Sequence, residues 1–216
     1  MQKEFWLSRW QNNEIGFHNN DVNPLLVTFL PHLTLPPSSR LLLPLCGKSR
    51  DISWLLSEGF AVVGVELSEL AVSQLFSELG LTPTIEEKTH CKIFKANKLV
   101  IIVADFFELS AADIGTVAGI YDRAALVALP PAMRERYAKH ITAISVCAPQ
   151  LLVSFDYQQE AMPGPPFSVP ETELNVLYAG QYQLQRLASS PLEGGLKGKC
   201  DALEQVWLLQ PKRAHL

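Results

Sequence analysis

Acids recur just after short apolar runs in this chain. Glu66 closes Ala61-Val62-Val63-Gly64-Val65, Asp105 follows Leu99 to Ala104, Asp122-Arg123 follow Gly119-Ile120-Tyr121, and Asp156-Tyr157 follow Leu151 to Phe155. In an open α/β sheet the ligand lies outside the carboxyl ends of the strands, so these are positions from which side chains reach it. Glu66 stands 19 residues past Gly47, where an acid ending a second strand accepts hydrogen bonds from both hydroxyls of a ribose. The same position equally suits a solvated strand-end acid or a helix cap, because Leu67-Ser68 follow directly. Asp105 beside Phe106 suits an adenine, the carboxylate accepting from the exocyclic amine and the ring packing on the base. A helix-start Asp followed by core aromatics has the same appearance. Arg123 is either a local ion pair with Asp122 or a cation aimed at a reacting centre.

The turn Cys46-Gly47-Lys48-Ser49 ends as a P-loop does, but the first glycine of G-x-x-x-x-G-K-[ST] would fall at Leu42. Leu43-Pro44-Leu45 is strand-like rather than a phosphate cradle, and G-x-G-x-x-G is absent. A lone Gly47 admits a ligand close to the backbone without offering a pyrophosphate nest. That favours an adenosine without phosphates, such as S-adenosylmethionine. The five histidines show no metal spacing and no G-x-S-x-G elbow is present, so neither a metal centre nor a hydrolase triad is expected. Trp6, Trp10 and Phe17 either staple an N-terminal arm to the core or wall in a flat ligand. The Pro-rich stretch Met162 to Pro170 is an inert connection or a stiff rim bringing Pro166 and Phe167 to a substrate.

The elements that must position these residues alternate from Arg40 onward as βα units. Leu41 to Leu45 is a short strand buried on both faces. Ser49 caps a helix striped by Ile52, Leu55 and Leu56, and Ser68 opens a second striped by Ala71, Val72, Leu75, Phe76 and Leu79. A charged, hairpin-like stretch runs from Glu86 to Lys98. Later elements are a helix from about Pro131 to Ile144, one from Glu171 to Ala179, and strands at 182–187 and 203–209. The expected organisation is a single domain over 1–216, with an irregular arm or lid over 1–39 containing a short helix at 24–30, and a sheet core over 40–216. The chain holds 18 Lys+Arg against 22 Asp+Glu, a formal charge of −4, and 48% hydrophobic residues. That composition excludes disorder and gives no basic stripe for nucleic acid. No apolar run approaches the roughly 18 residues of a bilayer span, no signal peptide is evident, and four scattered cysteines form no C-x-x-C pair. The expectation is a cytoplasmic monomer without nucleic-acid or membrane partners.

Five ordered segments, F-W-L-S-R-W with I-G-F-H (Phe5 to His18), L-P-L-C-G-K-S (Leu43 to Ser49), V-V-G-V-E-L-S-E (Val62 to Glu69), Y-D-R-A-A-L-V-A-L-P (Tyr121 to Pro130) and P-G-P-P-F-S-V (Pro163 to Val169), together resemble the thiopurine S-methyltransferase family over nearly the whole chain. The resemblance implies a class I, Rossmann-like methyltransferase with a seven-stranded, mostly parallel sheet flanked by helices. It implies S-adenosylmethionine as cofactor, methylation of aromatic and heterocyclic thiols such as thiopurines, and in bacterial members the handling of selenium and tellurium compounds. Carried over motif by motif, Trp10, Leu45, Gly47, Glu66, Asp105, Phe106 and Arg123 contact the cofactor. Phe17, Arg123, Pro166 and Phe167 face the substrate, with Arg123 the catalytic candidate that favours a thiolate. One departure is that Lys197 and Lys199 stand where some members carry an arginine, a point charge in place of a planar fork. Losing the Glu66 carboxylate is expected to weaken cofactor binding and leave the fold intact. The competing readings are a P-loop-like nucleotide-binding enzyme and a non-catalytic binding module.

Overall fold

A computed structural model describes residues 3–16 and 18–212. In chain order its elements are α1 (Lys3–Gln11), α2 (Pro24–Phe29), β1 (Arg40–Leu43), α3 (Arg50–Ser57), β2 (Ala61–Glu66), α4 (Glu69–Glu78), β3 (Thr84–Glu87), β4 (Lys92–Ala96), β5 (Leu99–Val103), α5 (Ala111–Ile114), β6 (Gly119–Asp122), α6 (Pro131–Ile144), β7 (Gln150–Asp156), α7 (Glu171–Tyr178), β8 (Tyr182–Pro191) and β9 (Leu203–Pro211). They form one sheet in the order β3-β4-β5-β2-β1-β6-β7-β9-β8.

The five central strands, β5-β2-β1-β6-β7, are parallel, and β9 and β8 continue antiparallel. Parallel strands joined by helices must be covered on both faces, which is why β1, β2 and β5 are nearly continuous Leu, Ile and Val. One face buries Leu42, Val63, Val65 and Ile102 under α6 residues such as Tyr137 and Ile141. The opposite face buries Leu41, Leu43, Val62 and Ile101 under Ile52, Leu55, Val72 and Phe76 of α3 and α4. Side chains alternate between these layers because the strand period is two. Ser49 and Ser68 cap α3 and α4, their hydroxyls accepting from Asp51 N at 3.2 Å and Ala71 N at 3.3 Å, each contributing about 1 kcal/mol.

Three sequence expectations are corrected. The sheet has nine strands rather than seven, because the charged stretch closes as the antiparallel hairpin β3–β4 and pairs with β5. β3 is exposed throughout, so its alternation carries no core signal for a sequence reading. The arm is not irregular throughout: Lys3–Gln11 is helical, with Glu4 in its first turn and Arg9 in its last, charges that complement the helix dipole. Finally β1 stops at Leu43, because Leu45 adopts φ 47° and turns the chain out of the sheet. Among the described residues, no helix is long and apolar enough to cross a membrane.

Candidate active site

The central strands end at a cavity of about 650 Å³ walled by the loops after β1, β2, β5 and β6, by α1, and by the Pro-rich loop. A volume in this range holds a nucleoside-sized molecule with room for a second small ligand.

The loop after β1 is built on backbone that only certain residues tolerate. Gly47 has φ 53°, and a Cβ there would come 3.1 Å from the Trp10 ring. Its amide donates to Glu66 Oε2 at 2.8 Å, while Glu66 Oε1 accepts from Ser68 N at 2.8 Å. Glu66 thus ties the first loop to the start of the second helix, and its buried carboxylate keeps further lone pairs at the cavity it lines. Burial pushes its pKa up, against the pull of the Ser68, Gly47 and Leu67 amides. Its removal would also leave the Gly47 and Ser68 amides without their acceptor, so a stability cost is expected beside the loss of cofactor affinity.

Asp105 and Phe106 line the same cavity. Asp105 Oδ1 caps the turn by accepting from Phe107 N at 3.0 Å, and the Phe106 ring lies 5.2 Å from that of Tyr137. Tyr137 in turn donates to Asp122 Oδ2 at 2.7 Å, and Asp122 Oδ1 accepts from Leu126 N at 3.1 Å. Asp122 is fully buried, and desolvation raises its pKa from 3.8 to about 6 despite those hydrogen bonds. It does not reach the ligand but braces the turn that carries Arg123. A proton held by the folded state up to about pH 6 and released by the unfolded chain near 3.8 makes stability fall as pH rises through that window. We expect Asp122→Asn to flatten this slope, on the order of 3 kcal/mol across the window, measured as melting temperature at pH 4.5 against pH 7.5. A slope unchanged in the variant would exclude Asp122 as its source.

Arg123 lines the cavity, and among the described residues no hydrogen bond or salt bridge engages its guanidinium. Its charge is felt by Tyr121, Glu204 and His18. Beside it are two groups that sequence reasoning missed. Asp51 Oδ1 accepts from Asn23 N at 2.8 Å, while Asp51 Oδ2 and the Tyr121 hydroxyl lie buried in the wall as neighbours, with no well-formed hydrogen bond among the described residues. Burial raises the Tyr121 pKa, and the Asp51 charge raises it further. Asp51 looks like any first-turn helix acid in the sequence, and nothing in its spacing marks it. Burial and the Lys48 charge hold His18 below its usual pKa and therefore neutral at pH 7. Lys48 itself is bound to Glu78 Oε1 at 2.6 Å, so the P-loop-like lysine is already paired.

The Pro-rich loop is fixed at several points. Tyr157 donates to Pro166 O at 2.7 Å, Phe167 N donates to Val127 O at 2.6 Å, and Val169 N donates to Phe155 O at 2.7 Å. Pro166 faces the cavity, but Phe167 does not line it. Its ring packs on Gly164, where a Cβ would lie 2.6 Å away, and faces buried Arg134 at 5.6 Å. Phe167 thus stands against the rim residue Gly164 rather than in the cavity wall itself. Trp10, Leu45, Gly47, Glu66, Asp105, Phe106, Arg123 and Pro166 do converge on one cavity. Phe17 lies outside the described residues. Lys197 and Lys199 also line the cavity, and Lys197 donates to Pro165 O at 2.8 Å.

The buried Asp51 and Tyr121 atoms, the unpaired Arg123 and the buried Glu66 carboxylate give the wall an acceptor, a hydroxyl, a cation and a second acceptor. That donor set suits a nucleoside bearing a charged amino-acid tail, which is the composition of S-adenosylmethionine.

Comparison with known proteins agrees. The sequence model of the family described as Thiopurine S-methyltransferase (TPMT) matches residues 1–206. A thiopurine S-methyltransferase of Xanthobacter autotrophicus is 48% identical over 211 residues, covering 97% of this chain and 99% of its own. One from Azotobacter vinelandii is 49% identical over 209 residues, covering 96% and 91%. Among solved structures, the Burkholderia thailandensis 1,6-didemethyltoxoflavin-N1-methyltransferase, with bound 1,6-didemethyltoxoflavin and S-adenosylhomocysteine, superposes with a TM-score of 0.65 at 17% identity, covering 96% of this chain and 87% of that one. A methyltransferase from Anabaena variabilis that depends on S-adenosylmethionine gives 0.63 at 15%, covering 96% and 95%. At such identities these two show a shared fold.

Proposed function

Because this chain belongs to the thiopurine S-methyltransferase family, whose cofactor is S-adenosylmethionine, we propose that the cavity holds that cofactor against Glu66 and presents an aromatic or heterocyclic thiolate, such as a thiopurine, to it beside Arg123. When bound, the cofactor supplies an electrophilic sulfonium methyl, and the thiolate is nucleophile enough to need no covalent enzyme intermediate. The chain's work is alignment, exclusion of water and stabilisation of the anion.

Glu66 accepts from the ribose hydroxyls with the lone pairs left by Gly47 and Ser68. Asp105 and Phe106 receive the adenine. The backbone of Leu45 and Gly47 and the ring of Trp10 close over the amino-acid tail, whose ammonium and carboxylate find Asp51, Tyr121 and Arg123. Arg123, unpaired in the wall, favours the thiolate over the thiol. Pro166 forms the substrate rim. The P-loop-like alternative is weakened by the Lys48–Glu78 ion pair, and a binding module has no use for an unpaired buried-side cation at the carboxyl ends of the strands. The protein acts as a monomer on a small-molecule substrate, and its four free cysteines favour the reducing cytoplasm.

One observation carries this reading: the buried Glu66 carboxylate shares a cavity wall with an unpaired Arg123. The test is calorimetric titration with S-adenosylhomocysteine, with ATP–Mg as control, followed by a methyl-transfer assay on 6-mercaptopurine, an aliphatic thiol and an aromatic selenol. Micromolar binding of S-adenosylhomocysteine alone and turnover of the aromatic thiol are expected. Turnover confined to the aliphatic thiol would overturn the substrate assignment.

Lys197 supports a second prediction. Burial, Lys199 and Arg9 push its pKa down, and its ammonium ties the β8–β9 connection to the rim through Pro165. Lys197→Ala should raise KM for the thiol several-fold and leave affinity for S-adenosylhomocysteine unchanged. A fall in cofactor affinity instead would remove Lys197 from the substrate side.

A further inference from the structure

Outside the residues that line the methyl-transfer cavity, the fold brings together three side chains of metal-ligand type that the sequence keeps apart. His90 and Cys91 occupy the turn between β3 and β4, and Asp113 lies on α5, 22 residues after Cys91. His90 Nε2 lies 3.1 Å from Asp113 Oδ1. A ring nitrogen, the Cys91 Sγ and an Asp113 oxygen all fall within 4.8 Å of one another.

We propose that His90, Cys91 and Asp113 form a binding site for a divalent transition ion of zinc type, which staples the β3–β4 hairpin to α5. Tetrahedral zinc with bonds of about 2.0 Å to nitrogen and oxygen and about 2.3 Å to sulfur sets its ligands roughly 3.3 to 3.6 Å apart. The His90–Asp113 separation of 3.1 Å is already within a few tenths of an ångström of that edge, and the sulfur, within 4.8 Å of both, must close by at most about 1.3 Å. The carboxylate is held for the purpose: Asp113 Oδ2 accepts from Ser110 N at 2.8 Å and Ser110 Oγ at 2.6 Å, leaving Oδ1 turned towards His90. Outer hydrogen bonds of this sort fix a ligand's orientation. Cys91 is buried at 5% exposure while the His90 side chain is 41% exposed, so an ion has a soft inner ligand and an open outer side for a water.

The donor set selects the metal. One sulfur and one imidazole exclude magnesium and calcium, which take oxygen, and a single carboxylate completes a neutral site for a 2+ ion once Cys91 has lost its proton to solvent. No electron is transferred. The hairpin is the part of the sheet with most to gain, because β3 is an exposed edge strand held by β4 alone.

The test uses the full-length chain without a histidine tag, reduced and stripped with chelator, titrated with Co²⁺ as a spectroscopic stand-in and then with Zn²⁺. Expected are near-ultraviolet thiolate-to-cobalt absorption saturating at one equivalent, visible bands of tetrahedral intensity, and loss of both on adding Zn²⁺. Cys91→Ser should abolish the near-ultraviolet band, and His90→Ala, at an exposed position, should weaken binding at least about tenfold. Zn²⁺ should also slow amide exchange across residues 84–96. Absence of the band in the unmodified protein, or its survival in Cys91→Ser, would overturn the proposal.

Discussion

Arg123→Ala should lower methyl transfer by about two orders of magnitude at saturating thiol, the scale seen when a positioned donor to a developing or held anion is removed. Affinity for S-adenosylhomocysteine should change by only a few-fold. The asymmetry follows from the site: among the described residues no hydrogen bond or salt bridge engages Arg123, so its planar fork can serve the sulfur as well as the cofactor's carboxylate. Cofactor contact is shared with Glu66, Asp51 and the first loop. Arg123→Lys should recover part of the rate, because a point charge retains the attraction but not the planar fork. The loss should also shrink as the thiol becomes more acidic, since a substrate already ionised needs less help. If rate and S-adenosylhomocysteine affinity fall by the same factor, Arg123 is a cofactor ligand and nothing more.

Glu66→Ala should weaken S-adenosylhomocysteine binding by about 1–3 kcal/mol for each charged hydrogen bond lost, and the melting temperature should fall with it. The second effect arises because the amides of Gly47 and Ser68 both donate to this carboxylate. Glu66→Gln separates the two. Its single carbonyl oxygen keeps one amide acceptor, so stability should recover more than affinity does. Acid should mimic the affinity loss. Burial raises the Glu66 pKa in the free protein, and hydroxyls donating to the ionised form would lower it in the complex. Affinity then drops as pH falls through the raised value and is constant above it. Affinity that ignores both the substitution and pH would remove Glu66 from the ribose.

The parts of this molecule that sequence made legible are those governed by local rules. Buried parallel strands announced themselves as runs such as Leu99 to Val103, Ser49 and Ser68 marked two helix starts, and the rule that ligands collect at carboxyl strand ends selected Glu66, Asp105 and Arg123. What stayed hidden depends on contacts remote in sequence. The Pro-rich loop reads in sequence as either an inert connection or a rim, and only the fold shows the Phe167 ring packed on Gly164 and facing Arg134. Asp51 and Tyr121 carry no spacing signal, since what makes them notable is burial without a well-formed hydrogen bond. β3 has no buried face to set a period, and α1 holds a single buried residue, Trp10, too little for a helical stripe to show.

The anchored Pro-rich rim, held through Tyr157, Phe167 and Val169 before any substrate arrives, has a thermodynamic consequence. A wall that is already ordered surrenders little configurational entropy on association, so discrimination among thiols rests on shape. Ring systems differing by one substituent should therefore separate mainly in dissociation rate, with similar association rates across the series.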